Sequence, residues 1–409
     1  MNFVVIIKKW SIIIVSNYFL LLAINGLLGM LGLSAIAKLD LLIMLAASVI
    51  VMFYLKREIT KLDAFIIFFI GIIAMTGYLQ NYDKDLWYSG CRGQLYFTIF
   101  FFVGRYSCYQ NIPIIQKGLK PFLIVCIIGL LLYIIQPSWY MNYKLLMFEG
   151  QLSEGRILEM ARLSAFWVYP YWVSYGCAIM YCYLMARCLS QSYMTRKEIF
   201  ILIFIAFIAL LAQQRAPLFI IAFSTVMFII QVFFKKRKKG HISLSLSIIY
   251  FIFMVMCMLA IFLTVIDVDM LTRLLEKLEV IENATTFLNE RSDLFSDFRS
   301  KTISLFGDGI GRYSHAAYDR GKMAITDQQY MLLLYETGYF GCMSYAIVIL
   351  VVLYKGLKNF SLNYLELSII LMFLLAMTGA NCLSNFGLHT AIFWICCGRV
   401  CSKKLILNK

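Results

Sequence analysis

Twelve stretches of this 409-residue chain run for about 15 to 22 residues on predominantly apolar side chains, and a helix needs roughly 20 such residues to cross ~30 Å of hydrocarbon. They lie near residues 11–32, 40–55, 63–79, 94–109, 119–136, 168–188, 198–212, 216–234, 243–265, 336–354, 364–380 and 386–400. No water inside a bilayer satisfies backbone N–H and C=O groups, so such runs fold as helices that close their own hydrogen bonds. Only 14% of the residues are charged, against roughly 25% in soluble domains. The expected fold is therefore all-α: a polytopic transmembrane helical protein of about 12 spans, a single membrane domain over 1–409. Lys8 and Lys9 ahead of the first run imitate a signal peptide, but no small-residue cleavage site follows, and the run reads as an uncleaved first span. The twelve cysteines fall mostly inside apolar segments, without CxxC or metal-ligand spacing, and read as small core hydrophobes. Cys91 and Cys382 lie nearest an oxidising face and are the one candidate disulfide pair.

The net charge of +15 is a topology signal and needs no nucleic-acid partner. With a cytoplasmic N-terminus, the inside loops hold 22 of the 37 Lys and Arg against four acids, Glu58, Asp63, Glu198 and Glu366. Every one of those loops is basic, as positive-inside orientation requires. The opposite loops are near neutral, with three acids and three bases in 137–165 and eleven acids and eight bases in 266–328. Both termini are expected inside. The segment 266–335 is the one large extracytoplasmic loop, with amphipathic helices expected over 269–283 and 291–306.

Four features could carry chemistry. The first is Gln213-Gln214-Arg215-Ala216-Pro217, a tight turn between two spans on the outer side. An arginine there either snorkels to anchor a helix end or faces a cavity, where its planar fork suits phosphate oxygens. The second is the charged stretch Arg291, Asp293, Asp297, Arg299 and Lys301. Its two arginines are two helical turns apart, which makes either a shared cationic face or a solvated mixed-charge one. The third is Gly307-Asp308-Gly309-Ile310-Gly311-Arg312-Tyr313-Ser314-His315, whose alternate glycines permit a close-packed backbone but lack nucleotide-loop spacing. His315 is either structural or a proton acceptor. The fourth is Asp327-Gln328-Gln329-Tyr330, opening into Glu336-Thr337-Gly338-Tyr339-Phe340-Gly341. Asp327 fits a helix N-cap. Glu336, at bilayer depth, is a functional hypothesis by default, and the two glycines allow close helix packing.

Taken in this order, the features resemble the O-antigen polymerase (Wzy) and O-antigen ligase superfamily of bacterial membrane glycosyltransferases. The resemblance covers the whole architecture and, at motif level, mainly residues 210–220 and 288–345. Ligase-type members look like His-Asn-x-Tyr-Leu where this chain has Asp327-Gln328-Gln329-Tyr330-Met331, which tilts the resemblance toward polymerase and leaves the base open between Asp327 and His315. The resemblance implies a surface-polysaccharide polymerase of the bacterial inner membrane, of O-antigen or capsule type. It would move a growing glycan from a polyprenyl diphosphate carrier onto the next lipid-linked repeat unit at the outer face. It implies Arg215, with Arg291 and Arg299 or Arg312, as a diphosphate clamp, and Gln214, Gln328, Tyr330 and Glu336 as further substrate contacts. It implies no metal and no cofactor, and a chain-length regulator as a partner beside the bilayer and the lipid-linked oligosaccharides. The rivals are an O-antigen ligase, a lipid-linked oligosaccharide flippase, which would show internal pseudo-symmetry, and a non-enzymatic scaffold.

Overall fold

The computed structural model describes residues 3–33, 39–56, 59–80, 83–110, 112–148, 162–167, 169–191, 194–239, 302–318, 320–325, 328–360, 362–378, 380–383 and 388–402. Among these the chain is helical, with no strand. The helices are α1 Phe3–Ser16, α2 Tyr18–Met30, α3 Leu39–Leu55, α4 Lys61–Gln80, α5 Lys84–Gly90, α6 Ile99–Gln110, α7 Ile114–Ile135, α8 Ser138–Phe148, α9 Tyr171–Gln191, α10 Arg196–Ala212, α11 Arg215–Lys239, α12 His315–Tyr318, α13 Gln329–Lys358, α14 Tyr364–Ala376 and α15 Leu388–Val400. Eleven of the twelve apolar runs thus coincide with helices, and the run 243–265 lies outside the described residues. Three helices, α4, α7 and α13, are individually long and apolar enough to cross a membrane, and a fourth span results if α1 and α2 are counted together.

The first run is bent, not one straight helix. It breaks at Asn17, and α1 meets α2 at 69°. The side chains of Ser16 and Asn17 both donate to the Ile13 carbonyl, at 3.0 and 2.9 Å, and share it with the Asn17 N–H at 3.1 Å, the back-bonding that bends helices. Beyond the break, Phe19 packs on the bare backbone of Gly118, which lets α2 lie closely along α7.

α9 is the central helix, with Val173 to Met180 entirely buried. Its tyrosines, serine and cysteines make it less apolar than the outer helices, because it faces protein on every side. It runs antiparallel to α10, with Arg187 3.5 Å from Glu198 across their shared turn. It also runs antiparallel to α14, where Tyr175 meets Phe373. The two-residue link Gln213-Gln214 reverses the chain again, so α11 runs parallel to α9, and Tyr181 bonds Thr225 at 2.6 Å. α6 and α15 also run parallel, since the turn Tyr96–Thr98 ahead of α6 contacts α15 and Cys108 near the end of α6 lies 4.0 Å from the Arg399 carbonyl near the end of α15. They are in backbone contact, because Gly104 faces the Ile395 carbonyl and Gly398 faces that of Phe101. The Cys91–Cys382 disulfide does not form. Both thiols are free, and the Cys382 Sγ turns to the Phe373 carbonyl at 3.6 Å.

These directions sort the helix termini into two ends. One end gathers Lys61, Arg105, Arg187, Lys197, Lys355, Lys358 and Arg399, and among the described residues its acids Asp63, Glu198 and Glu366 are buried and paired. Asp63 accepts from Arg105, from the Tyr54 hydroxyl at 2.8 Å and from Thr60 N–H and Oγ1 at 2.9 and 2.8 Å. Glu366 accepts from Arg399 at 2.9 Å. Glu198 forms a reciprocal capping box with Thr195. A buried charge is tolerable only when paired and hydrogen-bonded, and removing one partner strands the other. Asp63→Ala should therefore cost about 3–5 kcal/mol, read as a lowered unfolding midpoint in detergent. The double variant Asp63→Ala/Arg105→Met should recover most of that loss, and a single-variant loss below that of an exposed pair would contradict the assignment.

Candidate functional site

The other end of the bundle carries two clusters. The first is built where α13 breaks. Gly338 has φ 66° and ψ −169°, a backbone region accessible to glycine alone, and its break frees carbonyls from the helix. The glycine run meets them. Asp308 N–H donates to the Tyr335 carbonyl at 2.9 Å, Gly309 N–H donates to that of Glu336 at 3.1 Å, and Phe340 N–H donates back to Leu305 at 2.9 Å. Gly307, Gly309 and Gly311 all have positive φ. Gly307 lies against the Glu336 and Gly338 backbone, so closely that neither Gly307 nor Gly338 has room for a Cβ. Residues 302–306 are not helical, so the helix expected over 291–306 does not reach its proposed end. Residues 291–301, and the helix expected over 269–283, lie outside the described residues.

Glu336 is buried (1% exposed) at the centre of this seam. One carboxylate oxygen accepts from the Tyr313 N–H at 2.8 Å, and the other accepts from Gln94 Nε2 at 2.6 Å. Gln94 reaches it because residues Cys91–Leu95 form one wide π-type turn ahead of α6, a distortion common at functional sites. Asp308 accepts from the Tyr313 hydroxyl. Further out, Asp83 caps α5 and accepts from Lys322 at 2.8 Å and Arg320 at 2.9 Å. Its carboxyl is held well below the usual range by the Lys322 hydrogen bond, helped by Leu86 N–H and Arg320. The segment 302–325 is thus tied down at both margins.

The second cluster surrounds Arg215, which is exposed at the start of α11. Gln213, in the left-handed conformation at φ 52°, ends α10, and the half-exposed Gln214 completes the turn. The segment before α9 packs here through Leu163 N–H on the Leu211 carbonyl, 3.2 Å. Its neighbour Arg162 accepts, through its carbonyl, from Lys144 Nζ at 3.2 Å. Lys144 is 2% exposed and lies 4.9 Å from the centre of the Tyr140 ring. Burial lowers its pKa to about 8. Lys144, Arg162 and Arg215 thus come from linked backbone at this end of the bundle, a cationic corner in which Lys144 bonds the Arg162 carbonyl and Leu163 bonds Leu211, four residues before Arg215. Nothing in the sequence singles out Lys144 or Arg162, which count only as balanced charges in an outer loop, nor Gln94, a polar residue at the edge of an apolar run.

The remaining candidates divide. Arg312 is exposed on the glycine loop, with its N–H on the Gly309 carbonyl at 3.3 Å. Gln328 directly precedes α13, and its side chain makes no cap. Tyr330 donates to the Leu374 carbonyl at 2.8 Å. His315 begins the short α12, and its side chain lies outside the described residues, as do Asp327, Arg291 and Arg299. Gln329 N–H bonds the Met377 carbonyl at 3.1 Å, so the start of α13 sits with the end of α14. α14 in turn ends beside the start of α9, and hence of α11. Both clusters therefore belong to one end.

Two predictions follow from this geometry. Gly338→Ala places a side chain in a forbidden region and against Leu305 and Gly307. It should cost about 1–3 kcal/mol and speed proteolytic cleavage within 302–325, and unchanged cleavage would contradict the seam. For Lys144, the folded-state value of about 8 lies below the ordinary 10.5, so the folded protein releases that proton first. Stability should rise as pH climbs from about 8 toward 10.5, and Lys144→Met should flatten that rise in a pH series of unfolding midpoints.

Comparison of the chain with protein-family models, with curated proteins and with solved structures gives no match in any of the three.

Proposed function

We propose that this protein is a polymerase of surface polysaccharide. It would cross the bacterial inner membrane about twelve times with both termini inside, and transfer a growing glycan from a polyprenyl diphosphate carrier onto the next lipid-linked repeat unit. The observation that carries the reading is the cationic corner of Arg215, Arg162 and Lys144, set at the end of the bundle away from the Lys- and Arg-rich termini. Positive-inside orientation accounts for the basic end but not for cations gathered opposite it. The parallel run of α6 and α15 also supports the orientation, which requires both to pass from outside to inside.

In this reading the bond from the anomeric carbon to the carrier diphosphate breaks while a bond to the acceptor hydroxyl forms. The leaving diphosphate takes the negative charge, which guanidinium groups stabilise where it develops. The acceptor proton passes to Asp327 or His315. Glu336 takes a positioning role in place of substrate contact, because both its oxygens are engaged by Gln94 and Tyr313.

The test is a polysaccharide ladder. Arg215→Ala should abolish long chains while the protein still inserts. Arg215→Lys should also be poor, because a point charge cannot make the bidentate contact. Normal ladders from Arg215→Ala would sink the proposal. A knockout should leave single capped repeat units on the surface. Complete loss of surface units would favour a flippase, and free unattached polymer would favour a ligase.

A further inference from the structure

A cleft of about 920 Å³ lies between α3, α4 and α6, with Trp87, Tyr88 and Arg92 at one margin. α3 and α4 pack respectively on α6 and α13, and the space between them is lined by Val51, Leu55, Ile67 and Ile70. From Leu41 to Leu55 the lining follows α3 for about 21 Å at 1.5 Å per residue. The surfaces beside it are exposed and apolar, with Leu45 at 59%, Met52 at 64% and Phe68 at 62%. In a membrane these flanks face hydrocarbon, so the cleft opens laterally to lipid.

The mouth is different in kind. Arg92 and Asp40 pair at 2.8 Å, with side chains 64% and 40% exposed. Tyr96 stands close enough to interact electrostatically with both members of this pair, and Tyr88 with Tyr96; tyrosines gather at the headgroup level of bilayers. This mouth lies at the same end as Asp83 and the glycine loop, since α3 begins and α4 finishes there.

We propose that the cleft is a seat for one zwitterionic glycerophospholipid. An acyl chain lies along Ile70 and Val51, the lipid phosphate rests on Arg92, and its ammonium rests on Asp40. The charge pattern selects this occupant. Among the described lining residues the mouth carries one cation, Arg92, and one anion, Asp40, which complements a headgroup bearing both. A diphosphate would meet the Asp40 carboxylate beside Arg92, the one cation among the described lining residues. The seat is also separate from the cationic corner at Arg215, so this inference rests on the membrane reading but not on the polymerase reading.

Native mass spectrometry of the full chain in detergent tests it, with phosphatidylethanolamine, phosphatidylglycerol, an undecaprenyl diphosphate and tail-free phosphoethanolamine as probes. Phosphatidylethanolamine should bind with one-to-one stoichiometry and be preferred over phosphatidylglycerol. Ile67→Trp and Leu41→Trp fill the cleft at positions already 42% and 50% exposed, where the fold tolerates bulk. Each should weaken retention by about tenfold, as should Arg92→Glu, since losing one charged contact is worth roughly that factor. Monodisperse elution of each variant verifies folding. Retention unchanged in all three variants overturns the seat. Equal or tighter binding of phosphatidylglycerol or of the undecaprenyl diphosphate overturns the zwitterionic assignment. Binding of phosphoethanolamine as tight as that of the whole lipid overturns the role of the cleft.

Discussion

A carboxylate among apolar helices is stable only if the protein itself replaces the water it has lost. That constraint organises this molecule at both ends. At the basic end, Asp63, Glu198 and Glu366 each sit at the start of a helix and each meets an arginine from another. The pairing fixes α4 against α6, α9 against α10, and α14 against α15. At the other end Glu336 meets no arginine in its seam but a backbone N–H and an amide. Its two acceptors join three remote stretches: the wide turn before α6, the glycine loop and α13. The same residue type therefore clamps helices at one end and docks a loop at the other.

The glycine seam and the cationic corner are complementary in construction. The seam is rigid because a helix break exposes carbonyls and the loop supplies the matching donors, so neither side is satisfied without the other. The corner keeps long side chains at a short turn, where Arg215 remains exposed. An exposed cation and a rigid seam at the same end of a helical bundle suit the recognition of a charged ligand at that end. The proposed chemistry draws on this division.

Much of the bundle was legible in the sequence because apolar run length is a one-dimensional signal. The helices α3, α4, α7, α13 and α14 fall where the runs do. The break at Asn17 was not legible, since it depends on which carbonyl two polar side chains find. The close packing of the alternate glycines was readable from their spacing, but their partner was not, because it exists only where Gly338 breaks α13. Arg215 could be found as an arginine in a two-residue turn. Lys144 and Arg162 could not, because their meeting with that turn rests on one long-range hydrogen bond between Leu163 and Leu211. Glu336 was recognisable as unusual, whereas its partners, Gln94 and a backbone N–H, leave no pattern in a single sequence.

The contact between α6 and α15 has a consequence for the order of assembly. The two helices meet backbone to backbone across 291 residues of chain. At synthesis rates of 5–20 residues per second, α6 waits about 15–60 s for its partner. Its Arg105 is provided for early, because Asp63 is only 42 residues upstream. Its glycine face is not, and nothing translated before α15 offers the second glycine. Arg105 is therefore neutralised long before the bundle is closed, whereas Glu366 gains Arg399 only when α15 arrives, which makes α15 the keystone.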